Sequence, residues 1–441
     1  MKNSVIYQLD GRPKLKEAIP LGLQHVLAMF VGNVTPLIII SGALGLSLED
    51  KTMLVQCAML VSGLVTLVQC YRLGPFGAKL PIVMGTSFGF VSVAISVGSK
   101  YGYEGILGAC LVGSIIEILF GTYVRKIRRF FPPVVTGTVV LAIGISLLPT
   151  GINYFAGGVG ASDFGSMSNL LLGSIVLITV LFFKQYTKGI TSIASILIGL
   201  IVGYIVAIPM GKMDFSQISQ MALISVPMPL QFGFEFHIDA IFAFVCMFIV
   251  SGVETVGDIT AITHSGMNRD AKDEEISGGV MADGFGSMIA ALFNSMPTTS
   301  FGQNVGLIAM TKVINRHVVA IGACFLIMAA IFPKFGALIS LMPPSVLGGA
   351  SVMMFAMIAV SGIKLITSEP LNNRNSTIVA VALGLGVGLT LVPGVLSQMP
   401  ESIKLIFGDS GLVVVAIIAI VLNIVLPKEK IEVRNTKTQV S

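Results

Sequence analysis

Long runs of apolar residues, separated by short polar or Gly/Pro-rich segments, follow one another along almost the whole chain. A helix needs roughly 20 apolar residues to cross the hydrocarbon core of a bilayer. The pattern therefore predicts an all-α membrane protein with fourteen spans, of which the third and the tenth are short and interrupted by Gly and Ser. The approximate ranges are 20–40, 52–70, 82–98, 105–123, 133–150, 169–183, 190–209, 239–263, 278–294, 301–311, 317–333, 345–363, 376–393 and 410–427.

The basic residues predict how these spans are oriented. With fourteen spans and a cytoplasmic N-terminus, all but five of the 27 Lys and Arg residues lie on the cytoplasmic side. The exceptions are Lys51, Lys100, Lys212, Lys334 and Lys404. Membrane proteins carry such an excess of positive charge in their cytoplasmic loops, and a count wrong by one span would destroy it. We therefore expect a multi-pass protein of the cell membrane with both termini in the cytoplasm.

The chain also contains two pairs of similar segments. The segment FPPVVTG at 131–137 opens the fifth span and MPPSVLG at 342–348 opens the twelfth, an offset of 211 residues. Leu80-Pro81 and Met296-Pro297 flank the third and tenth spans at an offset of 216. A repeat of seven spans enters the membrane in the opposite orientation, as in the inverted repeats of secondary transporters, whose short interrupted spans mark the substrate site. The alternative is that proline simply begins helices at these points.

Composition narrows the class of function. Only 11% of the residues are charged and the mean hydropathy is +0.91, whereas soluble domains carry about 25% charged residues. These values exclude a soluble enzyme and a nucleic-acid-binding protein. The net charge of +5 reflects the basic residues of the cytoplasmic segments and does not indicate a charged partner. The five cysteines form no CxxC pair and no two histidines have ligand spacing. We therefore expect no disulfide framework, metal site or cofactor.

Four acidic residues fall inside apolar runs, where ionisable groups are costly and usually functional. Glu254 and Asp258 are four residues apart and so share one face of a helix. In a low-dielectric environment, two such carboxylates favour proton uptake by one of them. A proton-coupled transporter requires such a group. The alternative interpretation is that one carboxylate caps a neighbouring backbone group or pairs with a polar side chain. Asp283 is interpreted either as functional or as a helix cap, and Glu117, close to Arg125, as structural.

A second polar cluster surrounds the tenth span. Pro297 prevents a regular helix start, and Gly302 and Gly306 allow close approach of the backbone. Such a break at membrane depth is tolerated where it is buried in protein or lines a cavity. Gln303 and Asn304 each carry a donor and an acceptor on one planar amide, which matches the lactam edge of a cyclic base. Their alternative role is hydrogen bonding between helices.

The corresponding segment of the third span, 80–90, offers Phe90 as a ring on which a planar ligand can stack. We expect the third and tenth spans to meet near the midplane and to form the site together. His25 in the first span is interpreted as a buried hydrogen-bonding group rather than as a substrate contact.

Several of these residues together resemble the pattern of a known family. The motif Gln303-Asn304-x-Gly306-x4-Thr311-Lys312 resembles the signature of the nucleobase–ascorbate transporter family. The similarity covers roughly residues 15–430 and includes Gln24-His25, Glu254, Asp258, Asp283 and the GTSFGF segment at 85–90. The resemblance implies a seven-plus-seven inverted repeat, a homodimer in the lipid bilayer, and an elevator-like movement of a core domain against a gate domain.

The implied domains are assembled from separate stretches of the chain. The core domain would comprise 20–123 and 239–333, and the gate domain 124–209 and 343–427. Cytoplasmic segments at 1–19 and 428–441 would complete the chain.

The resemblance also implies roles for individual residues. Glu254 and Gln303 would hold the edge of a nucleobase, Phe90 would stack on it, and Gly89 and Gly302 would complete the site. The residues that would support the site or couple transport to an ion are Asp258, Asp283, Asn304, His25 and Thr311.

The substrate class follows from the motif. Uracil-type members carry Glu in place of Gln303 and His in place of Asp258, so the chain resembles the purine branch, which takes xanthine or urate. We expect H⁺ rather than Na⁺ as the coupling ion. Uracil is the alternative substrate. An intramembrane enzyme, for which the chain lacks an H-E-x-x-H motif, and a channel are the alternatives from other classes.

Overall fold

The computed structural model describes residues 5–213, 216, 218, 221–392, 394–400, 403–404, 407 and 411–427. The predicted cytoplasmic tail, 428–441, lies outside the described residues. The first half of the chain forms the helices α1 (Leu15–Ala43), α2 (Leu48–Tyr71), α3 (Val91–Ile127), α4 (Pro133–Phe155), α5 (Met167–Tyr186), α6 (Ile190–Ile193) and α7 (Ser195–Ala207). The second half forms α8 (Ile238–Met267), α9 (Asp273–Leu292), α10 (Gly302–Thr311), α11 (Arg316–Ala330), α12 (Pro333–Ser340), α13 (Pro344–Ile366), α14 (Asn373–Leu391) and α15 (Gly411–Val425).

Many of these helices are suited to a membrane. Of the described helices, eight are long and apolar enough to cross one, and the pair α11 and α12, bent by 86°, would add a ninth. The helices α7 and α15 are apolar but shorter. The fourteen spans therefore stay a prediction. The third and fourth predicted spans are joined in α3, which breaks at Gly102 (φ 71°, ψ −179°), a backbone conformation that glycine adopts without steric cost.

The structure differs from the all-α expectation at the two interrupted spans. Two buried strands, β1 (Met84–Thr86) and β2 (Thr298–Ser300), pair in antiparallel register with Met84 opposite Ser300. Three residues are too few to produce the alternation that predicts a strand, so the sequence indicated only a break in the helix. Buried backbone groups need hydrogen-bond partners, and the two broken segments supply them to each other.

The helices pack in two groups. In the first group, α1, α2, α8 and α9 contact the strands, while α3 packs against α8 and α9, and α11 against α1 and α2. In the second group, α13 packs against α4 and α5, and α14 packs against α15. As the sequence predicts, the Pro-Pro pairs open α4 and α13, each 23 residues long. A Cβ atom on Gly137 of α4 would lie 2.8 Å from the carbonyl oxygen of Gly362 of α13, so this crossing requires a glycine.

Candidate functional site

Side chains from α1 and α2 hold β1 in place. The amide oxygen Oδ1 of Asn33 accepts hydrogen bonds from the Thr86 backbone N–H (2.8 Å), the Thr86 hydroxyl (3.1 Å) and the Ser62 hydroxyl (2.7 Å). The hydroxyl of Thr66 accepts a bond from the Met84 N–H at 2.9 Å. Because Asn33 and Thr66 are buried, water cannot replace these hydrogen bonds. They therefore fix the position of β1 relative to α1 and α2.

The other strand is fixed by α9 and by the ends of the strand pair. The hydroxyl of Ser287 accepts a hydrogen bond from the Thr298 N–H (3.0 Å) and donates one to the Thr298 carbonyl (3.2 Å). The pairing continues beyond the strands, since the Ser87 N–H donates to the Pro297 carbonyl (2.9 Å) and the Phe301 N–H donates to the Val83 carbonyl (3.0 Å). The two broken segments therefore form one cross-linked unit.

Each strand leads directly into the N-terminus of a helix. A short 3-10 turn, Phe88–Phe90, follows β1 and continues into α3, while α10 begins at Gly302 after β2. Because the strands are antiparallel, the two helix N-termini approach the strand crossing from opposite sides. Helix N-termini present free backbone N–H groups and a partial positive charge. The crossing is therefore suited to electron-rich atoms such as carbonyl oxygens.

The predicted carboxylates lie beside this crossing. Glu254 and Asp258 are partly buried, one turn apart on α8, which packs against β2 and α10. A Cβ atom on Gly302 would lie 3.6 Å from Asp258 Oδ1, so the first turn of α10 is next to that carboxylate. Gln303 is exposed. Among the described residues, neither the Glu254 carboxylate nor the Gln303 amide has a side-chain hydrogen-bond partner, and both are available to a ligand.

A row of hydroxyl groups connects Asp258 to Asp283 on α9. Ser300 donates a hydrogen bond to Asp258 Oδ2 at 2.7 Å, and its oxygen lies 3.2 Å from that of Thr255. Thr255 donates to Asp283 Oδ2 at 2.6 Å, and Ser251 lies at 3.4 Å from the same oxygen. Asp283 is in the interior of α9 and does not cap its N-terminus. We call the row Asp258–Ser300–Thr255–Asp283 the hydroxyl bridge.

Glu117 occupies an environment that its neighbours in sequence do not indicate. Its side chain is fully buried, and its carboxyl group lies beside that of Asp283. The expected neighbour, Arg125, instead pairs with Asp273 at 2.9 Å. Among the described residues, no donor satisfies either oxygen of Glu117 or the second oxygen of Asp283, Oδ1. The structure thus replaces the interpretation of Glu117 as a lone residue near Arg125 with a buried pair of carboxyl groups.

Phe90 is completely buried and packs against two rings of α8. The ring centroid of Phe90 lies 5.5 Å from that of Phe244 and 4.7 Å from that of Phe248. Gly89 lies against the second group of helices, because a Cβ atom there would be 3.4 Å from Ile143 Cδ1 of α4. Stacking of Phe90 on a ligand stays a prediction. The neighbouring Phe88 packs edge-on against Phe355 of α13 with centroids 5.5 Å apart.

The remaining predicted residues connect helices. Asn304 Nδ2 donates to the backbone carbonyl of His25 and lies next to His25 Nδ1, both at 3.0 Å. Both side chains are buried, and the contact joins α10 to α1. Since Asn304 Nδ2 is a donor, His25 Nδ1 acts as the acceptor and the ring proton is on Nε2. Thr311 lies at the end of α10 and bonds to the Leu307 carbonyl of its own helix at 2.8 Å.

Sequence reasoning missed Asn33, Thr255 and Ser300. Each is a small polar residue within or beside an apolar run, and such residues are common in membrane helices. A buried amide or hydroxyl in a span often bonds to a neighbouring helix, which was the available signal for Asn33. Thr255 follows Glu254 in sequence but projects about 100° around the helix from it, and its hydroxyl bonds to Asp283.

Comparison with known proteins identifies the family of this chain. A family model described as a permease family matches residues 16–395. The xanthine permease of Bacillus subtilis (strain 168) is 38% identical over 411 residues, which cover 93% of each chain. Uric acid permease PucK of the same strain is 38% identical over 405 residues, 91% of this chain and 94% of its own.

A solved structure shares the fold. The transmembrane domain of the cyanobacterial bicarbonate transporter BicA superposes with a TM-score of 0.60 at 13% identity, over 94% of this chain and 98% of that domain. At this identity the similarity concerns the fold alone. The family model and the identity to the two permeases extend over most of the sequence, and the chain therefore belongs to the nucleobase–ascorbate transporter family, whose members are integral membrane permeases and not enzymes.

Proposed function

We propose that this protein is a secondary active transporter that imports an oxidised purine base, xanthine or urate, together with protons. The observation that carries the proposal is that the Glu254 carboxylate and the Gln303 amide have no side-chain partner among the described residues, while α8, which carries Glu254, packs against β2 and against α10, which carries Gln303 in its first turn. The permease names of the two Bacillus relatives support the substrate class.

The chemistry of the site fits such a base. Glu254 accepts a hydrogen bond from a ring N–H, and the Gln303 amide pairs with a lactam edge, accepting from N–H and donating to C=O. The free N–H groups at the start of α10 bind a further carbonyl oxygen. A base that lacks the matching N–H would leave a desolvated carboxylate facing an acceptor, which costs several kcal/mol. Discrimination between bases is therefore strong.

We further propose that the first group of helices is the moving core and the second group is the gate of an elevator-like transporter, which acts as a homodimer. Two contacts support an inverted repeat, because each joins segments that are seven predicted spans apart: β1 with β2, and α4 with α13. The hydrogen bonds described above that hold the two strands all come from helices of the first group. The site would therefore move with that group as a unit.

Transport assays in right-side-out vesicles test the substrate and the coupling ion. We expect saturable accumulation of labelled xanthine that is inhibited by xanthine or urate, is stimulated by an inward proton gradient, and is indifferent to a sodium gradient. Substrate recovered unchanged separates transport from catalysis, and accumulation above the external concentration separates it from a channel. Competition by uracil alone would favour the pyrimidine alternative, and accumulation that follows sodium but ignores pH would refute proton symport.

Replacing Gln303 with Ala is expected to raise KM for xanthine about 10- to 100-fold, because the lactam edge of the bound base would lose its amide partner. The maximal rate should change less than KM. Initial uptake rates over a range of xanthine concentrations provide both values. The control is Met310→Ala, since Met310 is on the same helix and 72% exposed. An unchanged KM in Gln303→Ala with normal expression would remove Gln303 from the site.

A further inference from the structure

The hydroxyl bridge contains more contacts than its hydroxyl groups can supply with hydrogen atoms. It has three oxygen–oxygen contacts, of 2.7, 3.2 and 2.6 Å. Thr255 and Ser300 have one hydroxyl hydrogen each. If both aspartates were ionised, each hydroxyl would donate to its own aspartate and the Thr255–Ser300 contact would have no hydrogen. One additional proton, on either aspartate, satisfies all three contacts.

This proton can be on either end of the bridge. With Asp258 protonated, Asp258 donates to Ser300, Ser300 to Thr255, and Thr255 to the Asp283 carboxylate. When the three hydrogens each move along their own hydrogen bond to the next oxygen, Asp258 becomes a carboxylate and Asp283 becomes the acid. No hydrogen is gained or lost, and both hydroxyls end with one hydrogen each. Rotation of the two hydroxyls then restores the bridge for the next proton.

The deep end of the bridge meets a second carboxyl group. Asp283 Oδ1 has no donor among the described residues, and neither does Glu117, so the adjacent carboxyls can satisfy each other only when one of them is protonated. The titratable groups that face this pair are the Cys110 thiol of α3 and, on α8, Asp258 and Glu254. None of the ion pairs within the described part of the chain includes Glu117, Glu254, Asp258 or Asp283.

We propose that the hydroxyl bridge conducts the coupling proton between Asp258, at the edge of the substrate site, and a buried store formed by Asp283 and Glu117. This role rests on the proposed proton symport. Thr255 and Ser300 carry the proton without binding the substrate, and Glu117 is a positioning residue that acts through Asp283. One end of the bridge is beside Gly302 at the start of α10, so occupation of the site by a base changes the environment of Asp258 and shifts the proton along the bridge.

Infrared difference spectroscopy of the purified protein tests the bridge independently of transport. Protonated carboxyl groups give a carbonyl stretching band that carboxylates lack. At neutral pH we expect the wild type to show such bands, Glu117→Gln and Asp283→Asn each to change them, and Thr255→Val to shift the band that responds to xanthine. The control is Thr263→Val, because Thr263 is a fully buried residue of the same helix whose hydroxyl bonds only to backbone carbonyls of its own helix. Absence of any protonated-carboxyl band in the wild type would overturn the proposal.

Transport assays test the function of the bridge. Thr255→Val is expected to lower accumulation driven by a proton gradient about tenfold, the loss that corresponds to one buried hydrogen bond. Exchange of internal for external xanthine, which needs no net proton movement, should fall far less. Thr255→Ser, which retains the hydroxyl, should restore accumulation. Equal loss of exchange and accumulation would show that Thr255 only maintains the structure and would overturn its role in conduction.

The two proposals can fail separately. If wild-type xanthine uptake takes up no protons, symport is wrong and the bridge has no coupling role, whatever its spectrum. If wild-type uptake is proton-driven but Thr255→Val and Ser300→Ala both retain normal proton-driven accumulation, symport stands and the bridge is wrong.

Discussion

Replacing Glu254 with Gln is expected to lower kcat/KM for xanthine uptake at least about 100-fold, which corresponds to about 2.7 kcal/mol. Glu254 has no partner among the described side chains, so its hydrogen-bonding capacity is fully available to the base. The Gln side chain has nearly the same shape but replaces one acceptor oxygen with a donor. A ring N–H then faces an N–H group where the wild type offers a carboxylate. Initial uptake rates of labelled xanthine in vesicles with equal amounts of protein provide the comparison.

Two further variants separate charge from geometry. Glu254→Asp keeps the charge but withdraws the carboxylate by one methylene group, and we expect an intermediate loss. Glu274→Gln removes an acidic side chain that is exposed in the first turn of α9, and it should leave uptake close to that of the wild type. If Glu254→Gln retained normal kcat/KM, the carboxylate would not contact the substrate and the arrangement proposed for the base would be wrong.

Some features of this protein follow from local sequence patterns. The Pro-Pro pairs correctly predict where α4 and α13 begin, because proline is favoured in the first turn of a helix. The four-residue spacing of Glu254 and Asp258 correctly places both on adjacent turns of α8. These properties depend on neighbouring residues alone, and a single sequence contains the information for them.

The partners of the buried polar groups do not follow from such patterns. Asn33 and Thr86 are separated by 53 residues, and Thr255 and Ser300 by 45. Apolar periodicity indicates which residues are in a span but not which span lies opposite. Glu117 illustrates this limit, because Arg125 is close in sequence and yet pairs with Asp273. The strand pair is equally hard to predict from local sequence, because it forms between two breaks that are far apart along the chain.

Asn33 does not contact the substrate in the proposed arrangement. Among such residues, its replacement should damage the site most. Its Oδ1 accepts from three donors, the Ser62 hydroxyl and both the hydroxyl and backbone N–H of Thr86. Asn33→Ala leaves these donors buried and creates a cavity beside β1. Each unsatisfied buried donor costs about 1–3 kcal/mol, and the hydroxyls can partly recover by turning to other acceptors. We expect a net loss of about 2–4 kcal/mol in stability and a strong decrease in uptake.

The measurement pairs thermal unfolding in detergent with vesicle uptake. Asn33→Ala should lower the unfolding midpoint by several degrees and lower xanthine uptake at least about tenfold. The reason is that β1, the start of α3 that follows it, and the paired strand β2 would lose their fixed position. Thr35→Val is the control, since Thr35 is two residues away on α1, equally buried, and bonded only to the Val31 carbonyl of its own helix. If both variants lowered uptake equally, the effect would belong to α1 as a whole. If Asn33→Ala left both quantities unchanged, the strand crossing would hold its geometry without this amide, and the ties from Thr66 and Ser287 would be sufficient to position the site.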